Sequence, residues 1–185
     1  SITKVALYQA VEANLFDAGA TVPTNSRAVD IIQGKRAVVR VHLDVGSGFA
    51  ARNLSARVYL DNGDVQPEAF FDKKQVSVDS TQGNFASTLN VTLPAEKIQA
   101  DTKYYVELVE CGDGATGAAG TTRIPASGTT NLEARKTGRI TVAFLPIRYN
   151  NMVPDTSSAA LLKYADEVKK QYGTTDVVTS VLPEY

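Results

Sequence analysis

The stretch Arg36-Ala37-Val38-Val39-Arg40-Val41-His42-Leu43-Asp44-Val45 decides the fold class. Val39, Val41, Leu43 and Val45 fall on one side, and Arg40, His42 and Asp44 fall on the other. A period of two belongs to a strand with one buried and one wet face. Outward from it, Gly46-Ser47-Gly48 supplies a flexible turn. Residues 54–60 then repeat the alternation, with Leu54, Ala56, Val58 and Leu60 opposite Ser55, Arg57 and Tyr59. Asp61-Asn62-Gly63-Asp64 is a second turn, since Asn-Gly accepts the positive φ angles of a tight hairpin.

The same grammar extends to both sides. Residues 4–13 open with a strand in which Val5, Leu7 and Gln9 alternate with Ala6, Tyr8 and Ala10, and residues 20–25 form a loop with Pro23. Val76 and Val78 mark a short strand. Residues 85–93 alternate through Phe85, Ser87, Leu89, Val91 and Leu93 until Pro94 stops the ladder. In 103–109, Tyr105, Glu107 and Val109 stand opposite Tyr104, Val106 and Leu108. About seven short strands separated by turns predict a mainly β fold, an immunoglobulin-like antiparallel β-sandwich over residues 1–111.

The composition then changes. Residues 112–120 are rich in Gly and Ala and lack the Gly-Lys-Ser/Thr ending of a phosphate loop, and 121–137 are polar, with Pro125 and Gly128. Residues 112–138 are read as an irregular linker. Beyond it, 140–147 is a nearly continuous apolar run, as in a strand buried on both faces. Residues 157–172 carry Leu161, Tyr164, Ala165, Val168 and Tyr172 at helical spacing. Asp155, Thr156 and Ser157 offer N-cap oxygens, Lys169 and Lys170 suit the last turn, and Gly173 the C′ position. Residues 176–182 are a further strand. This strand–helix–strand (α/β) unit, 139–185, should cross over right-handed. Two strands alone are marginal, so it either packs onto the sandwich or opens a larger α/β domain.

The bulk numbers exclude some functions. The chain has 185 residues, 43% hydrophobic and 21% charged, with a formal net charge of -1. That suits a globular protein and gives no general attraction to nucleic acid or anionic membrane. No run approaches the roughly 20 apolar residues of a membrane span. The lone cysteine, Cys111, forms no intramolecular disulfide and reads as a small apolar residue at a strand end. Its use as a nucleophile would need a histidine base, and the only histidine is far off in sequence. Ser1 leaves two readings, a removed leader or a trimmed chain.

No stretch spells a catalytic centre. His42 lies on a polar strand face beside Arg40 and Asp44 and reads as a surface or interface side chain. No second histidine or cysteine cluster joins it as a metal ligand, and no His-Glu-x-x-His, Cys-x-x-Cys or Gly-x-Ser-x-Gly pattern occurs. Asp61, Asn62 and Asp64 offer calcium-type oxygens, which turn chemistry explains more simply. Glu68/Asp72 and Asp166/Glu167 read as solvated faces. Asn53-Leu54-Ser55 and Asn90-Val91-Thr92 match the glycosylation sequon, meaningful only in a eukaryotic secretory protein. Catalytic, cofactor-binding and metal residues are therefore all assigned as none. Tyr8, Tyr59 and Tyr104 sit opposite aliphatic patterns and are candidates for a protein-binding face.

Several segments together resemble the region that precedes and enters the catalytic domain of large secreted bacterial zinc metallopeptidases of myxobacterial type. They are Ile32-Gln33-Gly34-Lys35-Arg36-Ala37-Val38-Val39-Arg40-Val41, Gly48-Phe49-Ala50-Ala51-Arg52, Leu93-Pro94-Ala95-Glu96, Tyr104-Tyr105-Val106-Glu107-Leu108, Arg123-Ile124-Pro125, Leu145-Pro146-Ile147-Arg148-Tyr149 and Pro154-Asp155-Thr156-Ser157. The resemblance implies a non-catalytic accessory sandwich followed by the start of a peptidase domain, on an extracellular or cell-surface protein. No zinc motif is present, so no catalytic residue carries over. The expected partner is a downstream peptidase domain or a protein or peptide ligand. The competing expectation is a free-standing adhesion or ligand-binding sandwich.

Overall fold

The computed structural model describes residues 1–110 and 120–185, so Cys111 and most of the Gly/Ala-rich segment lie outside the described residues. The chain is mainly β and divides into two units, Ser1–Arg135 and Lys136–Tyr185.

The first unit holds β1 (Ile2–Tyr8), β2 (Glu12–Asp17), β3 (Ala20–Thr21), β4 (Ala37–Leu43), β5 (Arg52–Asp61), β6 (Glu68–Val76), β7 (Leu89–Leu93), β8 (Lys103–Glu110), β9 (Arg123–Ile124) and β10 (Thr130–Asn131). They form two antiparallel sheets. The first runs β3-β2-β1-β4-β7 and the second β10-β8-β5-β6, with β9 also on β8. The deciding stretch becomes β4, central in the first sheet. Val39 and Val41 on it join Val5 and Leu7 of β1 and Leu89, Val91 and Leu93 of β7. Val58 and Leu60 of β5 and Tyr104 and Val106 of β8 supply the other side of the same core. Alternation puts the inward-facing residues of β4, β5, β7 and β8 into one apolar cluster, which is why their period of two is readable.

Several boundaries differ from the sequence reading. Residues 4–13 are not one strand; β1 ends at Tyr8 and β2 starts at Glu12. The strand expected around Val76 and Val78 is the nine-residue β6, ending at Val76. Its Lys and Gln residues hid it, because an edge strand needs few apolar side chains. Residues 85–93 split into a 3-10 turn, Phe85–Ser87, and β7. Part of the stretch read as linker belongs to the first unit: β9 and β10 pair with β8, and Leu132 and Ala134 lie in the core. The Leu132 N–H donates to Thr102 O at 2.8 Å and the Arg135 N–H to Ile31 O at 2.7 Å. Polar neighbours masked those two apolar residues in the sequence.

The second unit holds β11 (Ile140–Phe144), α1 (Ser158–Gln171) and β12 (Val177–Val181). β11 and β12 pair in parallel from Ile140↔Val177 to Phe144↔Val181. Ser157 is the N-cap, its hydroxyl accepting the Ala160 N–H at 3.4 Å, and Tyr172 closes the helix by donating to Val168 O at 2.9 Å. The apolar stripe of α1 lies over the strands, Phe144 and Tyr164 meeting with ring centroids 5.1 Å apart. The expectation that 140–147 is buried on both faces is not met: no β11 residue is buried.

Candidate functional site

The outer face of the first sheet carries the polar residues of the deciding stretch, of which Arg40 and His42 are buried and Asp44 is exposed. The connection between β6 and β7 is tied to β4: the Leu43 N–H donates to Ser80 Oγ at 2.9 Å and the Ser80 N–H to Leu43 O at 2.8 Å. Arg40 lies beneath this segment. Its Nε donates to Thr88 Oγ1 at 3.1 Å and its Nη atoms to Gln82 O at 3.3 Å, and its guanidinium is 5.5 Å from the Tyr8 centroid and 5.4 Å from the Phe85 centroid. Beside it Glu12 accepts from Lys4, Tyr8 and Gln82. Burial acts to raise the Glu12 carboxyl, but those three hydrogen bonds outweigh it and hold the pKa below the ordinary value.

His42 is 5% exposed, so its reading as a surface residue is corrected; a polar strand face became a covered one. Its Nε2 has no hydrogen-bond partner among the described residues. Burial first, then the positive charges of Arg40 and Lys4, depress its pKa, leaving a neutral imidazole at pH 7. Among the described residues, no three or more His, Cys, Asp or Glu gather as a metal-holding group.

The calcium reading of the Asp61–Asp64 turn meets competition for its oxygens. Asp61 Oδ1 accepts the Gly63 N–H at 2.9 Å with Gly63 at φ 85°, and Asn62 Oδ1 accepts the Thr102 hydroxyl. Glu68 pairs with Lys97, and Asp72 accepts the Asn90 N–H at 2.7 Å, so neither is a bare solvated carboxylate.

The second sheet presents a different outer face. Tyr59 of β5 and Tyr105 of β8 are cross-strand partners whose rings stack with centroids 4.3 Å apart and an interplanar angle of 8°. The Arg123 guanidinium of β9 lies 4.3 Å from the Tyr105 centroid, and its Nε pairs with Glu107 at 3.3 Å. Burial, with Glu107 and Tyr59, pushes the Tyr105 phenol up against the opposing pull of Arg123. Tyr104, expected on a binding face, is 1% exposed and fills the core instead; its neighbour Tyr105 faces outward. The parity of the Val106/Leu108 alternation already places Tyr104 with the aliphatic set, whereas nothing local marks Arg123. Phe71 of β6 stands on the same outer face, 70% exposed, with Arg57 as its cross-strand partner.

One cavity of about 140 Å³ is lined by Leu43, Asp44, Phe49, Arg52, Leu54 and Glu110 among others. It is below the 300–1,000 Å³ typical of small-molecule sites. In the second unit, Leu145, Ile147, Leu162, Val178, Val181 and Leu182 are all exposed. No helix of the described residues is long and apolar enough to cross a membrane.

Comparison with protein-family models, with curated proteins and with solved structures finds no match to this chain.

Proposed function

We propose that this chain is a non-catalytic accessory module of a secreted bacterial zinc metallopeptidase, an immunoglobulin-like sandwich that positions or targets the catalytic domain whose opening strands are β11 and β12. The observation that carries the reading is the state of the second unit. Parallel strands normally sit inside sheets covered on both faces, and two strands rarely stand alone. Here β11 has no buried residue and β12 none either, while six aliphatic side chains around them are exposed. Exposed aliphatic side chains in that number call for a cover, and strands added beside β11 or β12 supply it in the manner of an α/β sheet. The resemblance of the segments quoted above supports a peptidase reading of that sheet, and the sandwich is then the part that binds or orients.

The alternative, a free-standing adhesion or ligand-binding protein, draws its support from the aromatic face of the second sheet. Intact-mass and peptide sequencing of the native secreted product separates the two. A polypeptide with a His-Glu-x-x-His helix beyond residue 185 is the expected result. A native product ending at Tyr185 overturns the peptidase reading and leaves the binding module.

A further inference from the structure

We infer that the outer face of the second sheet is a binding platform for an acidic polysaccharide, with one sugar ring stacked on Tyr59 and its carboxylate held by Arg57. This inference does not depend on the peptidase reading, because the face belongs wholly to the unit Ser1–Arg135.

The geometry follows from the strand order. The Tyr59 and Tyr105 rings are parallel and side by side across neighbouring strands, so both stand upright on the sheet. Tyr105 is covered on one ring face by Tyr59 and approached on the other by Arg123. Tyr59 has its second ring face turned toward β6. Its partner there is Ala69, exposed and with the shortest side chain on that strand's outer row, so the register leaves a slot above Ala69. Phe71, two residues along β6, bounds the slot with an exposed ring. The slot is thus a wall, a floor and an end wall of rigid strand-borne groups, of the kind that takes the flat apolar face of a sugar by C–H and ring contact.

Charge selects the ligand within that shape. Arg57, Lys73 and Lys103 share this outer face, and none of them holds an ion pair among the described residues. Glu107 is engaged by Arg123. The face therefore offers free cations beside aromatic surface, which complements a ligand carrying carboxylates. A peptide is the poorer fit. β5 and β8 are hydrogen-bonded on both sides, so they offer no backbone groups to an extended chain. The β6 edge is meanwhile joined to the first sheet through Asp72 and Lys74.

The test uses the full chain and native affinity electrophoresis in polygalacturonate, with dextran as the neutral control and poly-glutamate as the peptide polyanion. Polygalacturonate should retard the protein, and dextran and poly-glutamate should not. Tyr59→Ala and Ala69→Trp should each weaken binding about tenfold, and Arg57→Gln by a similar factor, while Tyr59→Phe binds like the parent. Ala69→Trp fills the slot from an exposed position, so it decides the matter if Tyr59→Ala fails to fold. Equal retardation by poly-glutamate or dextran, no retardation by polygalacturonate, or binding indifferent to Ala69→Trp in a folded protein would each overturn the assignment.

Discussion

The Asp72 carboxylate of β6 accepts the Asn90 N–H of β7 at 2.7 Å, a side-chain bond that joins the edge strand of one sheet to the edge strand of the other. Lys74, two residues on, donates to the carbonyls of Ala86 and Thr88 and continues the seam. Side chains thus satisfy backbone groups that a bare edge would leave open to another chain. Asp72→Ala is expected to cost about 1 kcal/mol in urea unfolding and to raise aggregation, whereas Asp72→Asn keeps an acceptor and costs less. An Asp72→Ala protein as stable and soluble as the parent would show that the seam is incidental.

Arg40 fastens the segment that crosses the first sheet. Arg40→Lys loses the fork that reaches Thr88, Gln82 and Asn84 together. Hydrogen exchange should accelerate across residues 79–88 and stability should fall by about 2 kcal/mol. Unchanged protection there would place the anchoring elsewhere.

Two groups of the first sheet set an acid response. The folded state depresses the His42 pKa below its ordinary 6.5. Below that pH the unfolded chain takes up a proton that the folded chain refuses, so stability falls as acidity rises. The groups acting on the imidazole are Arg40 and Lys4, which lower its pKa, and Glu12 and Asp17, which raise it. Glu12 is also depressed from its ordinary 4.5, so its contribution is present above that pH and lost as pH falls below it. Melting temperatures of the parent and His42→Gln should diverge between pH 7 and pH 5, the variant declining less. Glu12→Gln should flatten the curve only below about pH 4.5. Parallel curves for parent and His42→Gln would remove His42 from the response.

The Tyr104 hydroxyl is buried without a hydrogen-bond partner among the described residues, and burial pushes its phenol up to about 12. Tyr104→Phe removes that polar atom and keeps the ring, so it should stabilise the first unit by about 1 kcal/mol in chemical unfolding. A loss of stability would mean that the hydroxyl has a partner in solution.

The open sheet of the second unit makes its own prediction. Leu162 is 66% exposed on α1, so Leu162→Glu should change stability by less than about 0.5 kcal/mol and reduce binding of an apolar fluorescent dye. A loss of 2 kcal/mol or more would show that this face is already covered in the chain alone.

The strands of the core, the helix with its Ser157 cap and a strand opening at Ile140 are legible because alternation, caps and apolar runs are local signals, whereas the expected burial of 140–147 on both faces is not met. β6 carries a weak local signal, since its nine residues bury few side chains. β9 and β10 were hidden by polar residues that pair only because β8 lies beside them. The sequence by itself determined which face of each central strand is apolar, and so that Val39, Val41, Val58 and Val106 meet in one core. It also placed Tyr105 opposite Tyr104 on β8. Only the tertiary structure decided the fate of the polar faces: that 82–88 covers Arg40, that His42 is buried, and that Tyr105 meets both Tyr59 and Arg123. The reason is physical. A side chain's direction follows from its own strand, but what lies above it is set by segments tens of residues away whose pairing no local period records.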